Sequence, residues 1–174
     1  MILGFKLFKH KKGNIILDMI LALVIIMVFA FSIFFGYKLL DEVNTSFQAD
    51  ADMSTEAKAT ISNYHAVYPS NWDASFLMFI ILLWVFFLVS TFFLDSHPIF
   101  FIIFLILIIF VLITSMVINN VWYDTITDDD FSIYQTNFPI IMWYFDNILA
   151  VWIVISCSCL VTLFAKSRLE GGGY

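Results

Sequence analysis

Charge is what this chain has least of. Only 13% of its 174 residues are charged, eight Lys and Arg against fourteen Asp and Glu, while 62% are apolar and 21 are Phe. A soluble domain keeps roughly a quarter of its residues charged to hold its surface in water. Lipid must therefore be the solvent for much of this chain, and the composition speaks against an aqueous enzyme. Clustered Lys and Arg are also missing beyond a short amino-terminal group, and the net charge is −6, so no nucleic-acid partner is expected. Cysteine is nearly absent. Cys157 and Cys159 lie two positions apart, turned by about 200° on a helix, so they cannot bond to each other and read as small packing residues. The chain has no Gly-rich phosphate loop, no HExxH, no CxxC and no nucleophile with a base beside it. No enzymatic activity, cofactor or metal is expected.

What is present is four long apolar runs, each meeting the length of about 20 residues that a helix needs to cross a hydrocarbon layer roughly 30 Å thick. They cover residues 14–40, 74–94, 98–118 and 139–165. Residues 95–97, Asp95, Ser96 and His97, make a tight turn in which these polar side chains cap helix ends, and Pro98 suits a first helical turn. Lys6, Lys9, Lys11 and Lys12 lie in a basic segment, 1–13, and Lys166 and Arg168 open a flexible tail, 166–174. Short segments rich in Lys and Arg stay on the cytoplasmic side. The expected class is thus an all-α integral membrane protein of four transmembrane helices with both termini on the inner, cytoplasmic-type side. An acidic segment, 41–73, and an acidic loop, 119–138, then lie outside.

Within the first outer segment, STEAKATISN (54–63) predicts a short surface helix. Asp50, Asp52 and Glu56 beside it are the candidate partner contacts. Tyr64, Tyr68, Trp72, Trp122 and Trp143 are expected as membrane-interface anchors, because amphipathic rings favour the headgroup level. Two acids fall within apolar runs, Asp18 and Asp146, and such groups carry a functional hypothesis by default. Both are expected near an interface, where they snorkel or pair, Asp146 with Lys38 or a loop amide. Asp124, Asp128, Asp129 and Asp130 lack the spacing and Gly of an EF-hand loop and read as a solvated cluster. Lys11, Lys12 and Gly13 ahead of an apolar helix bearing Asp18 resemble a prepilin processing site; pilins, however, carry Glu there and a single helix, and three more spans follow here.

The order of features carries a further resemblance: a basic amino terminus, one helix, the acidic stretch DEVNTSFQADADMSTEAKATISN, then YPSNWD opening the second helix and FFLDSHPIFF joining it to the third. This resembles small multi-span membrane proteins of viruses and phages that carry a lipid membrane beneath an icosahedral capsid. The likeness covers roughly residues 41–118. It implies a structural protein of a virion, embedded in the viral membrane, present in the host cytoplasmic membrane before assembly, and with no catalytic residues to carry over. Its implied partners are the lipid bilayer, other copies of itself, and capsid or other membrane structural proteins. The alternatives are a small channel or holin-type permeabilising protein, or an auxiliary subunit of a cellular membrane complex. Spans two and three offer no polar residue at middle depth, which weighs against a pore.

Overall fold

The computed structural model describes residues 15–93 and 98–171. The basic segment 1–13 and the turn 95–97 lie outside those residues. Among the described residues the chain is helical and without strands: α1 (Ile15–Ala49), α2 (Thr55–Phe92), α3 (Pro98–Ile126), α4 (Asp129–Ser132), a 3-10 turn (Gln135–Asn137), α5 (Pro139–Asp146) and α6 (Ile148–Gly171). Four of them, α1, α2, α3 and α6, contain stretches long and apolar enough to cross a membrane.

Helix length is the first departure from expectation. At 1.5 Å per residue, the 35 residues of α1 and 38 of α2 make rods of about 52 and 57 Å, well beyond a hydrocarbon layer of about 30 Å. The segment 41–73 is therefore no separate soluble piece. Its first part, to Ala49, completes α1, a short turn follows, and the rest is the opening of α2; the short surface helix expected at 54–63 is only the first turns of that longer helix. Ser54 caps it, its Oγ accepting from the Ala57 N–H at 3.2 Å. Pro69 lies inside α2 without ending it. The helix continues because His65, Tyr68, Trp72 and Phe76 recur every three or four positions and pack against α1: His65 and Tyr68 against Tyr37, Trp72 and Phe76 against Phe29. Tertiary packing of one face outweighs the lost hydrogen bond of a single Pro.

The fourth apolar run departs in the opposite direction. It is broken, with α5 ending at Asp146 and α6 beginning at Ile148. Asn147 stands between them at φ −116°, ψ 17°, and its side-chain amide donates to the Trp143 carbonyl at 2.9 Å. A short amide side chain that competes for its own backbone partners is a common cause of such interruptions. The second outer loop, expected at 119–138, likewise begins as two further turns of α3.

The core runs the length of the bundle. Trp122 of α3 stacks on Phe145 of α5 with centroids 4.0 Å apart, and Phe34 of α1 meets the edge of Trp122 and the ring of Phe138. Toward the other end, Phe87, Val111, Trp152 and Ile155 are buried. One carboxylate lies in this apolar surrounding. Asp73 of α2 is 3% exposed, and its two oxygens accept the Ile140 and Ile141 N–H groups, each at 2.9 Å. Those are the first free donors of α5, whose own preceding residue, Phe138, has no capping side chain and whose first residue is Pro139. A residue of α2 thus supplies the amino-terminal cap of α5.

Removing that carboxylate strands the buried Ile141 N–H, at a cost of about 1–3 kcal/mol, and the partly buried Ile140 N–H, at the low end of that range. Asp73→Ala should lower unfolding free energy in mild detergent by about 2–4 kcal/mol and weaken the near-ultraviolet dichroism of the aromatic core. Asp73→Asn, which keeps one acceptor oxygen, should recover about half of that loss. A stability equal to wild type in both variants would remove Asp73 as the cap.

Candidate functional site, an acidic helical hairpin on an aromatic base

The ends of α1 and α2 pack as an antiparallel hairpin closed by residues 50–54. At its tip the two backbones are tied reciprocally: Lys58 Nζ donates to the Gln48 carbonyl and Gln48 Nε2 to the Lys58 carbonyl, both at 3.0 Å. Asp50 Oδ1 accepts the Asp52 N–H at 2.9 Å, an Asx turn that reverses the chain. The expected contact residues Asp50, Asp52 and Glu56 are all exposed here. Their roles differ. Asp50 also shapes the turn, Glu56 sits in the first turn of α2, where a negative charge favours the helix dipole, and Asp52 contributes its backbone N–H to the turn.

Below the tip stands a junction that sequence reading missed. Asp41 of α1 divides its carboxylate between two other segments, Oδ2 accepting the Tyr134 hydroxyl at 3.0 Å and Oδ1 lying 3.0 Å from His65 Nε2. The His65 ring stacks on Tyr37 at 4.9 Å, and Tyr134 meets Tyr37 edge-on at 5.4 Å. Lys38 pairs with Asp130 at 2.8 Å and lies over the Phe131 ring. The Asp130 side chain is largely exposed, so solvent screens this ion pair and its contribution is small. Together these contacts hold α4 and the turn after it against the base of the hairpin. No spacing rule brings residues 41, 65 and 134 together; the only signal was the density of Tyr and His in YHAVYPSNWD and of acids facing it.

The expected anchors separate into two groups. Tyr64, Trp72 and Trp143 are exposed. Trp122 is fully buried, a correction to its reading as an interface anchor, since α3 continues past residue 118 and carries the ring into the core instead of out to headgroups. Tyr68 is half-buried and turned onto α1, its hydroxyl donating to the Ile33 carbonyl at 3.3 Å. It passes over Gly36, where a Cβ would stand 2.5 Å from the Tyr68 hydroxyl oxygen. Of the two acids in apolar runs, Asp18 lies in the first turn of α1, where the helix dipole favours it. Asp146 is exposed and accepts the Tyr123 hydroxyl; Lys38, expected as its partner, is engaged by Asp130. Among the described residues no three His, Cys, Asp or Glu side chains group as metal ligands. Comparison with protein-family models, curated proteins and solved structures found no match to this chain.

Burial, the hydrogen bond to Asp41 and the nearby charges of Asp41 and Glu42 push the Tyr134 hydroxyl up from its ordinary 10 to about 12. Because the folded value is the higher one, its contribution to stability is complete below pH 10 and is lost as pH rises through about 12. The difference in tyrosinate absorbance between wild type and Tyr134→Phe should therefore titrate near pH 12. A difference centred near pH 10 would show that the hydroxyl is free of Asp41.

Proposed function

We propose that this chain is a structural protein of a virion membrane: an α-helical anchor that holds a stiff acidic hairpin above the bilayer and couples it to capsid or other structural proteins. One observation carries the reading, the continuation of α1 and α2 as a packed pair beyond the length a bilayer needs. A span of about 20 residues counted back from Phe92 begins at Asp73. From there to Thr55 the hairpin rises about 27 Å, with its acids exposed at the summit. Surface charges of this kind set register and encounter rate with a basic partner more than affinity. The bundle centre is packed with Phe87, Val111, Trp152 and Ile155, which supports an anchoring role over a conducting one. The likeness of residues 41–118 to small membrane proteins of viruses with an internal lipid membrane supports a virion as the setting.

In this reading both termini face the cytoplasm and the hairpin faces away, in keeping with the bases at the two chain ends. In a Cys157→Ser, Cys159→Ala background, cysteines placed at Ala51 and at Ser167 should react with an impermeant reagent from opposite sides of the membrane. Labelling of both from one side would overturn the arrangement.

Reversing Asp50, Asp52 and Glu56 to Lys should leave membrane insertion intact and reduce incorporation into membrane-containing particles by about tenfold, through slower charge-steered encounter. The measurement compares the variant's amount in host membrane with that in purified particles. Unchanged incorporation would leave the acids as solvation alone.

A further inference from the structure

The break at Asn147 leaves a wedge between α2 and the α5–α6 pair. At one end Phe76 of α2 meets Tyr144 edge-on at 5.4 Å; at the other, Trp84 Nε1 donates to Ser158 Oγ at 2.9 Å and joins α2 to α6. Between these two contacts lies an apolar cavity of about 360 Å³, walled by Ile80 and Ile81 on one side and by Ala150, Val151 and Val154 on the other. The geometry points to a binding site for one acyl chain of a bilayer lipid, an inference that rests on the chain spanning a membrane.

Three features choose this occupant. The wall is almost wholly apolar, and of its polar groups the Asn147 amide is donated to the Trp143 carbonyl, the Trp84 indole N–H to Ser158, and the Tyr144 hydroxyl accepts from Trp152, so water has too few partners to stay there. The cavity lies on the bilayer side of Asp73, between residues 76 and 84 of α2, where the surrounding solvent is lipid tails. It is also short. Eight residues of helix from Phe76 to Trp84 span about 12 Å, and the Phe76–Tyr144 and Trp84–Ser158 contacts close its two ends, which leaves no through-groove for a helix of a second copy to lie along. A single chain of methylenes enters and gains dispersion contacts on three sides, where an unfilled wedge would forfeit them. Exposed Leu77 and Trp143 flank the opening through which the chain passes to the bilayer.

The test uses the full chain in nanodiscs of palmitoyl-oleoyl phosphatidylcholine, released into detergent and weighed by native mass spectrometry. Wild type should retain one phospholipid per chain. Ala150→Phe, which fills the wedge, should lower the retained fraction about tenfold, equivalent to about 1.4 kcal/mol, whereas Ala150→Ser, which leaves it open, should retain the lipid. Equal retention by Ala150→Phe and wild type, no retention by wild type, or a lipid-free dimer in its place would each overturn the site. Loss of the protein from membranes on carbonate extraction would instead overturn the membrane reading on which the site rests.

Discussion

Asp73 holds α5 in place through two hydrogen bonds that no local sequence could supply. An α-helix that starts inside a protein presents N–H groups with no partner, and in an apolar surrounding each must be met. α5 begins with Pro139 after Phe138, so neither residue offers a side chain to its amino terminus. The carboxylate arrives from α2, and the contact fixes the height at which α5 meets the bundle. Everything beyond depends on that height: Trp122 stacks on Phe145, Tyr144 accepts the Trp152 indole N–H at 2.9 Å, and the break at Asn147 falls where it opens a wedge toward α2.

The hairpin above Asp73 obeys a different constraint. At about 52 and 57 Å, α1 and α2 are longer than a hydrocarbon layer of about 30 Å, and isolated helices in water are marginal. The hairpin is ordered by aromatic packing along one seam and by the shared Asp41 carboxylate at its base. Charge is thereby separated along the molecule. The acids of the tip stand about 27 Å above Asp73, while Lys166 and Arg168 lie near the far end of α6, over the rings of Phe92 and Phe164.

The four long helices were legible because hydropathy needs only run length, and runs such as 74–94 and 98–118 contain no charge to interrupt them. The ends of those helices were not. Nothing in residues 41–73 is apolar enough to announce a continuing helix, and Pro69 reads locally as a boundary; only the α1 surface makes Tyr68 and Trp72 helical positions. The fourth run misled in the other sense, since hydropathy passes through Asn147 without a dip large enough to mark a break. Trp122 was assigned by its kind, an indole near the end of a run, while its burial is set by how far α3 continues. Asp41, His65 and Tyr134, like Asp73 and Ile140, are brought together by topology across 24 to 93 positions, beyond the reach of spacing arguments.

Gly36 and Tyr68 illustrate a last consequence, one that concerns descent more than stability. The tyrosine hydroxyl reaches the Ile33 carbonyl across the space that a side chain at position 36 would fill, and a Cβ there would push the ring aside. The constraint runs one way: the tyrosine needs the glycine, whereas the glycine tolerates a smaller neighbour. A lineage that replaces Gly36 first meets a clash, and one that shortens Tyr68 first opens a gap against α1 and loses the bond to Ile33. Divergence at this crossing therefore proceeds in an ordered pair of steps, ring before glycine, and relatives that carry any other residue at 36 are expected to carry a smaller one at 68.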